Sequence, residues 1–484
     1  MSERFVFGYG TQQRAAAPPA RPDTPSGAPA PAAAPERDRR DWAYLGLLYF
    51  TALLYVRPQD TLRPLAFIPL AEIAALTALA AMVYGRMSRG LSITRVTPEL
   101  IGVGLLGGLM LLLAPFSIWP TGSVQTFTNM FVKVLLIFVL ILNTLTSARR
   151  VREFTWVVVL TTSYIGFRAV FDYARGFNLI EDGRVQGAVG GMFQNPNDLA
   201  LNMVAVLPLA VLLAMRAHTL VGRFVATGGA LLMVGAVVAS HSRSGFLGLA
   251  AMLLILLWQL GRRKPALIGA TAIAAVVLLP FAPDSYWERV ASITDDDKDA
   301  TGSREARRLL LGEAYRAFLD HPLTGLGAGQ FVNYNPPGRV ETWRETHNVV
   351  LQVAAELGIL GVTVFFFLVY RALIAGRQAR QMLPLATGTP RPSRWGQSPA
   401  AAPPAVISQA DAQFFEAHTA ALAAAVVGWF LSALFASVAY HWTFYYLLAL
   451  AIAPREIIAD RLAGVARAAR RREAARPALQ EARV

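Results

Sequence analysis

Long apolar runs separated by short polar connections dominate the pattern of this chain. Many of the runs reach the roughly 17–25 residues that an α-helix needs to cross the hydrocarbon core of a bilayer. We therefore predict an all-α, polytopic membrane protein with about twelve transmembrane helices. The predicted limits are 42–56, 65–85, 98–118, 125–146, 152–172, 198–216, 222–240, 244–260, 265–283, 347–371, 413–436 and 440–457.

Basic residues are concentrated in alternate connections, whereas the connection 119–124 has neither Lys nor Arg. Short connections rich in Lys and Arg stay in the cytoplasm, so both termini are expected there. This topology places three segments outside: 173–197, 240–244 and the long loop 284–346. The basic residues of the cytoplasmic set include Arg86, Arg89, Arg95, Arg149, Arg150, Arg152, Arg216, Arg223, Arg262, Arg263, Lys264, Arg371, Arg377, Arg380, Arg467 and the arginines at 470–472.

The same topology divides the chain into five parts. The predicted parts are a disordered cytoplasmic tail (1–40, rich in Ala and Pro), N-terminal transmembrane helices (41–283), a large outer helical loop (284–346), C-terminal transmembrane helices (347–457, with a disordered cytoplasmic connection near 373–410) and a basic cytoplasmic tail (458–484).

Composition supports the membrane assignment and excludes several other classes. Charged residues make up 16% of the chain, against about a quarter in soluble proteins, and the mean hydropathy is +0.42. The net charge of +14 could suggest nucleic acid, but no basic face with interleaved aromatic residues is present. Cysteine is absent, which excludes disulfides, thiolate zinc sites and cysteine nucleophiles.

Motifs for nucleotide hydrolysis, serine hydrolysis and zinc hydrolysis are also missing from the sequence. The acidic run 295–299 lacks the Gly and the terminal Glu of a calcium-binding loop. We therefore predict no metal site and no cofactor, and expect the energy for any reaction to come from an activated donor or an ion gradient.

A histidine, His347, lies where the outer loop ends and a long apolar run begins. Thr346 is a predicted N-cap, which would put His347 in the first helical turn. The positive end of the helix dipole disfavours imidazolium there. A neutral imidazole can accept a proton, as a general base must. The alternative is an interfacial histidine that only caps or packs.

Arginines in the outer segments are candidates for binding an anion. Arg243 lies in a short outer turn, where a bound phosphate would compensate its charge; the alternative is an arginine that reaches lipid headgroups. Arg304, Arg307 and Arg308 share one face of a helix predicted over 303–319. We prefer Arg304, because N–H groups in the first helical turn also favour anions. Salt bridges to nearby glutamates are the alternative.

Asn195, Asn197 and Asp198 precede a predicted span on the outer side. Their side chains could hydrogen-bond sugar hydroxyls, or form a turn and cap the following helix. We favour the turn and cap, because Asn and Asp are common in both.

Three groups of residues resemble the O-antigen ligase and polymerase superfamily, over roughly residues 190–372. They are Ser242-Arg-Ser-Gly245; Gly302-Ser-Arg304, continuing into His321-Pro-Leu-Thr-Gly-Leu-Gly-Ala-Gly-Gln-Phe331; and Thr346-His-Asn-Val-Val-Leu351 with Glu356-Leu-Gly358 and Gly361. The early Tyr55-Val-Arg-Pro-Gln-Asp60 further resembles O-glycosylation ligases associated with exosortase systems.

The resemblance implies a glycosyltransferase of the bacterial inner membrane with its active site at the periplasmic face, metal-independent and inverting. The donor would be an undecaprenyl-diphosphate-linked glycan, and the acceptor lipid A core, another glycan or a protein hydroxyl. By resemblance, His347 would activate the acceptor hydroxyl, while Arg243 and Arg304 would bind the diphosphate leaving group. We assign to substrate binding Arg307, Arg308, Asn348, Asn195 and Asn197.

In this family aromatic residues often follow the loop arginine, whereas leucines occupy 309–311 here. The choice among Arg304, Arg307 and Arg308 therefore stays open.

Three rival functions lead to different expectations. A polysaccharide polymerase would use the same donor and resemble a ligase in sequence. A transporter of anionic or lipid-linked solutes would need charged residues inside several spans. The main candidates, Glu72, Lys133 and Arg168, lie toward span ends or within snorkelling reach. A membrane scaffold would not need a histidine at the outer face.

Overall fold

A computed structural model of the protein describes residues 41–61, 64, 67–180, 183–188, 190, 193–261, 269, 303–336, 344–389 and 404–481. These ranges contain fourteen α-helices and one small hairpin, in which β1 (Leu179–Ile180) pairs antiparallel with β2 (Arg184–Val185). The predicted helical architecture is confirmed for this part of the chain. The predicted tail 1–40, most of the predicted span 265–283, and the loop residues 284–302 and 337–343 lie outside the described residues.

The helices are numbered in chain order. The first seven are α1 (Trp42–Val56), α2 (Pro58–Thr61), α3 (Leu70–Met87), α4 (Pro98–Leu112), α5 (Pro120–Thr126), α6 (Val132–Thr144) and α7 (Ala148–Arg175). The hairpin follows α7. The remaining helices are α8 (Pro196–Arg216), α9 (Leu220–Ala239), α10 (Arg243–Leu256), α11 (Ser303–Asp320), α12 (Val349–Ala386), α13 (Gln409–Ala433) and α14 (Trp442–Glu481). A π-helical turn, Phe127–Phe131, joins α5 to α6.

Within the described ranges, eight helical segments are long and apolar enough to cross a membrane. They are Leu70–Met87, Pro98–Phe116, Pro120–Thr144, Ala148–Arg175, Pro196–Arg216, Leu220–Ala239, Val349–Ala386 and Gln409–Ala433. Two shorter apolar helices, Trp42–Val56 and Arg243–Gln259, match further predicted spans. The structure therefore supports a polytopic membrane protein, while the predicted number of about twelve spans is not confirmed.

Helix ends coincide with capping residues. Ser147 Oγ accepts a hydrogen bond from the Arg150 N–H at the start of α7, and α7 ends at Gly176 in the left-handed region, with φ of 71°. Thr97 and Thr219 cap α4 and α9 in the same way as Ser147 caps α7. Each cap satisfies a backbone donor that the helix itself leaves unpaired. Short polar connections can therefore reverse the chain between apolar helices.

One predicted connection is shorter than expected. The region 373–410 was expected to be disordered, but α12 continues as a helix to Ala386, and α13 begins at Gln409. The physical reason is a stripe of small residues. Ala375 and Ala379 are fully buried, and a Cβ on Gly376 would lie 3.0 Å from Thr419 Cβ in α13. Residues 390–403 lie outside the described part of the chain.

The predicted cytoplasmic tail, residues 458–484, also differs from expectation, because α14 continues as a helix to Glu481. This helix starts in the buried core, since Leu448 and Ile452 have no exposed surface. Its residues 465–471 are exposed and include Arg467, Arg470 and Arg471. The last predicted span ended at 457, and the helix continues well beyond that residue; the cytoplasmic location of the tail stays a prediction.

Helix α8 lies at the centre of the fold and packs against α7, α9, α10 and α13. Its residues from Leu199 to Ala210 are buried on all sides. Close packing of α10 with α13 depends on glycine, because a Cβ on Gly428 would lie 2.7 Å from Met252 Cβ. This buried helix fixes the position of the polar residues at its N-terminus, where the candidate site lies.

A buried ion network joins α4, α12 and α14. The Glu99 side chain has no exposed surface and accepts hydrogen bonds from Arg371 Nε at 2.8 Å and from Arg455 Nη2 at 2.9 Å. Two guanidinium groups on one carboxylate compensate its removal from water. Glu99 lies inside the predicted span 98–118 and was not among the charged residues predicted within spans. Its pairing argues for a structural role for this intramembrane charge.

Candidate functional site

Four helix junctions meet at one end of the bundle. Arg184 of β2 donates hydrogen bonds to the Ser240 carbonyl at 3.2 Å and to Asn197 Oδ1 at 2.9 Å. Ser242 Oγ donates to the same Asn197 oxygen at 2.9 Å. Ser432 Oγ in α13 donates to the Ser244 carbonyl at 3.3 Å. These contacts join the hairpin after α7, the start of α8, the turn between α9 and α10, and the end of α13.

The segment that carries His347 is anchored to the connection between α13 and α14. The His347 N–H donates to Ser437 Oγ at 3.0 Å, and Thr346 Oγ1 lies 2.9 Å from the same hydroxyl. Asn348 Nδ2 donates to the Leu434 carbonyl at 3.0 Å. His347 is therefore held through its backbone and through the side chains of the residues beside it.

The predicted cap of α12 was wrong by two residues. Asn348, and not Thr346, is the N-cap, because its Oδ1 accepts hydrogen bonds from the N–H groups of Val350 and Leu351. His347 consequently lies before the helix, not in its first turn, with a left-handed φ of 48°. This region is strained for a residue other than glycine and is found often at functional sites. The amide of Asn348 serves the cap, and its assignment to substrate binding stays a prediction.

The imidazole of His347 is half-buried and lies in a positive field. Loss of hydration, together with the nearby charges of Arg307 and Arg344, lowers its pKa to about 4. The ring is therefore neutral at pH 7, as a proton acceptor must be. Burial and the two arginines account for this neutrality, and the predicted cause, the dipole of α12, does not, because His347 lies before the helix.

The three arginines predicted on α11 differ in their placement. Arg307 is half-buried, and its charge acts on His347. Arg308 is exposed. Helix α11 begins at Ser303, as predicted, but the side chain of Arg304 lies outside the described residues. Of the two described arginines on this face, Arg307 is thus the one brought to the histidine.

Arg243 and Asn195 occupy the starts of two neighbouring helices. Arg243 is the first residue of α10 and is half-buried, directly after the cap Ser242, whose Oγ accepts the Gly245 N–H at 3.1 Å. Asn195 Oδ1 accepts the Asn197 N–H at 2.8 Å, and Asn195 caps α8. The predicted turn and cap at Asn195 is confirmed. The predicted turn at 240–244 is shorter, because Arg243 is already helical.

A carboxyl group beside His347 was missed by the sequence analysis. Glu345 keeps exposed surface, yet surrounding protein reduces its hydration, which raises the pKa of its carboxyl group. A hydrogen bond with Ser437 opposes this rise. Glu345 and Asp198 lie close enough for their negative charges to repel each other. The segment before α12 is therefore near the first turn of α8. Both arginines and carboxyl groups therefore lie close to His347.

The glycine-rich segment after α11 is bound to a kink in α12. Glu356 Oε2 accepts the Gly329 N–H at 2.8 Å, and the Glu356 carbonyl accepts the Gly327 N–H at 3.0 Å. A Cβ on Gly358, which has φ of 63°, would lie 2.6 Å from the Pro322 carbonyl oxygen. Only glycine permits this approach. The motif therefore holds α11 against α12, which brings Arg307 to His347.

The early motif that begins at Tyr55 also reaches this end of the bundle. Tyr55 is buried, with its ring centroid 5.8 Å from that of Phe193 and 6.4 Å from that of Tyr446. Arg57, directly after α1, has a left-handed φ of 46°. Tyr55 thus packs against the chain before α8 and against the first turns of α14.

Within the ranges that the structure covers, no three His, Asp or Glu side chains come close enough to hold a metal ion. The charged groups around His347 are arginines and carboxyl groups, an arrangement suited to an anionic ligand and a proton acceptor.

Comparison with known families gives one match. The family model described as O-antigen ligase matches residues 228–366, from the middle of α9 to the first half of α12. The matched region contains Arg243, Arg307 and His347. It supports assignment to the O-antigen ligase superfamily, and thereby glycosyl transfer or polymerisation in general. No curated protein matches the chain at a significant level.

Proposed function

We propose that this protein transfers a glycan from an undecaprenyl-diphosphate carrier to an acceptor hydroxyl, with His347 as the general base. The observation that carries the proposal is the neutral imidazole of His347 in the field of Arg307 and Arg344. A base and an anion-binding surface side by side are what this transfer requires.

In the proposed step, a ring nitrogen of His347 accepts the proton of the acceptor hydroxyl. The acceptor oxygen attacks the anomeric carbon of the sugar as the bond from that carbon to the diphosphate oxygen breaks. The undecaprenyl diphosphate leaves with the bonding electron pair and one more negative charge. Attack opposite the leaving group inverts the anomeric carbon.

The arginines are proposed to stabilise the diphosphate as its negative charge grows. Arg307 and Arg344 lie near His347, and Arg243 is the first residue of α10. Arg304 and Arg308 remain candidates on the same helix as Arg307. Such positive groups, fixed before the reaction, favour the transition state without a metal ion. Metal independence and inversion follow from the family resemblance and are part of the proposal.

Binding of the donor is expected to tune the base. A diphosphate beside Arg307 and Arg344 offsets the positive field that lowers the pKa of His347. The pKa of the imidazole would then rise toward neutral pH, where general-base catalysis is most efficient. His347 would therefore become the better base only after the leaving group is in place.

We place the reaction at the periplasmic face of a bacterial inner membrane. The placement rests on the basic connections at the opposite ends of α7, α8 and α9, which favour the cytoplasm. The acceptor is a lipid A core, another glycan or a protein hydroxyl. Association with an exosortase system rests on the Tyr55 motif alone.

Transfer in proteoliposomes tests the proposal. Purified protein receives a labelled undecaprenyl-diphosphate glycan with lipid A core, with a Ser- and Thr-rich protein, or with no added acceptor. Labelled lipid A core or protein supports the ligase, and growth of lipid-linked glycan without acceptor indicates the polymerase. Movement of donor across the bilayer without any transfer contradicts both and supports a transporter.

A further inference from the structure

A second cationic site lies at the other end of α8. A cavity of about 280 Å³ opens between α7, α8, α9 and α13. Its lining includes Arg152, Trp156, Arg216, His218, Thr219 and Phe414. The 21 residues of α8 correspond to roughly 30 Å at 1.5 Å per residue. The cavity is therefore about a bilayer thickness away from the junctions around His347, and it lies outside the residues that match the O-antigen ligase family.

The described residues that line this cavity include two arginines and no Asp or Glu. Arg152 Nη2 lies 3.7 Å from Asp411 Oδ1, and Arg216 Nη1 donates to the neutral Gln413 amide at 3.2 Å. The Nε atoms of Arg152 and Arg216 are buried, with no hydrogen-bond partner in the described part of the chain. A buried donor without a partner is costly. Arg223, close by, donates its Nε to the Ala217 carbonyl at 3.0 Å.

The remaining walls are apolar and aromatic. The Arg152 guanidinium lies 4.7 Å from the centroid of the Phe414 ring, and Trp156 closes another side. Beside the cavity, the first turns of α9 leave Leu220 81%, Val221 73% and Phe224 80% exposed. Exposed apolar side chains at the end of a transmembrane helix face acyl chains. The cavity is thus open to the edge of the bilayer rather than only to water.

We infer that this cavity binds the phosphate headgroup of an anionic phospholipid from the cytoplasmic leaflet. The phosphate oxygens would accept hydrogen bonds from the guanidinium groups of Arg152 and Arg216, which line the cavity, and the glycerol end of the acyl chains would lie along the exposed side of α9. Arginine suits phosphate because its donors form a planar fork. The cytoplasmic leaflet is the one that carries excess anionic lipid. The inference is independent of the proposed glycan transfer.

Lipid titration followed by native mass spectrometry tests the inference. Delipidated full-length protein is titrated with phosphatidylglycerol, with phosphatidylcholine and with inorganic phosphate. Arg216→Gln removes one guanidinium group from the cavity. Arg377 is an exposed arginine on α12, and Arg377→Gln is therefore the matched control for the loss of one positive charge. Arg152→Gln provides an independent variant if Arg216→Gln does not fold.

We expect the wild type to retain phosphatidylglycerol in preference to phosphatidylcholine. Arg216→Gln or Arg152→Gln should weaken that binding about tenfold or more, the effect of one charged hydrogen bond, and Arg377→Gln should change it less than twofold. If Arg377→Gln weakens phosphatidylglycerol binding as much as the cavity variants do, the proposed lipid site is wrong. Inorganic phosphate that competes as effectively as the lipid overturns the lipid assignment and leaves a soluble phosphate as the ligand.

Discussion

The backbone N–H of His347 donates a 3.0 Å hydrogen bond to the hydroxyl of Ser437, a residue ninety positions later in the chain. The same hydroxyl lies 2.9 Å from Thr346 Oγ1 and bonds to Glu345. Because His347 has a left-handed backbone, with φ of 48°, its conformation depends on such outside contacts. Ser437 is thus proposed as a positioning residue for the base.

Ser437→Ala should lower kcat about ten- to a hundredfold, because a small displacement of a catalytic group costs up to that much. KM for the donor should change little, since Ser437 is not proposed to touch it. Ser437→Thr keeps a hydroxyl and should restore much of the activity. Initial rates over a range of donor concentrations separate the two constants. A rise in KM with unchanged kcat would contradict the positioning role.

Arg344→Gln should move the acid limb of kcat/KM to higher pH. The Arg344 charge lowers the pKa of His347, which is about 4, so its loss raises that pKa toward the ordinary value near 6.5. His347 then takes up a proton, and activity is lost, at a higher pH on acidification. The pH profile of kcat/KM for the wild type and the variant measures the shift.

Arg377→Gln serves as the control for that profile, because Arg377 is exposed on α12 far from the site. The height of the profile is also expected to fall in Arg344→Gln, since donor binding weakens. The pH at which the acid limb falls, and not the height of the profile, therefore tests the effect of Arg344 on the pKa of His347. An unchanged limb, or one moved to lower pH, would contradict the proposed link between Arg344 and His347.

Sequence signals that act locally predicted part of the site. The Asn195 cap depends on residues two positions apart, and it was predicted correctly. At Thr346-His-Asn348 two residues can cap a helix, and the sequence favoured the wrong one. The choice is decided by the contact of Thr346 with Ser437, 91 positions away. No local pattern contains that information, nor the pairing of Arg184 with Ser240.

The larger fold was predictable for a related reason. Apolar runs indicate segments that are buried in lipid or protein, and they therefore predicted where the helices lie. The exact ends of the helices depend on tertiary packing, which the runs do not show. The extension of α12 to Ala386 required knowledge that Thr419 lies opposite Gly376. Pairing of Glu99 with Arg371 and Arg455 spans 356 positions at its widest and was likewise invisible in the sequence.

Gly325→Ala should destabilise the protein more than Gly90→Ala. Both glycines are left-handed, with φ of 64° and 66°, and each alanine costs about 1–2 kcal/mol for that conformation. A Cβ on Gly325 would also lie 2.6 Å from the Leu357 nitrogen, whereas one on Gly90 meets nothing within 4 Å among the described residues. The clash should add about 1–3 kcal/mol.

Thermal unfolding in detergent measures both glycine variants under the same conditions. Gly325→Ala should also slow glycan transfer at temperatures where the protein is still folded, because the glycine-rich segment holds Arg307 near His347. Equal loss of stability in the two variants would show that backbone conformation alone matters and that the contact with α12 does not.

Glu99→Gln should reduce the free energy of unfolding by about 3–5 kcal/mol, because it removes the buried carboxylate that Arg371 and Arg455 share; Arg455 then keeps the carboxylate of Glu456, at 2.8 Å. Glu72→Gln breaks an exposed pair with Lys133, at 3.3 Å, and should cost about 0–1 kcal/mol. Reversible unfolding of both variants tests the contrast. Because Arg371 and Arg455 are not proposed to touch the substrate, the KM of folded Glu99→Gln should match that of the wild type. An equal loss of unfolding free energy in the two variants would exclude a stabilising role for the network.

The most direct test of the account compares His347→Ala with His321→Ala in the proteoliposome transfer assay. His321 is exposed at the end of α11 and serves as the matched control. Loss of a general base should slow transfer about a hundred- to ten-thousandfold, with donor binding retained, while His321→Ala should keep near wild-type rates. Transfer by His347→Ala at the wild-type rate would contradict the assignment of His347 as the base.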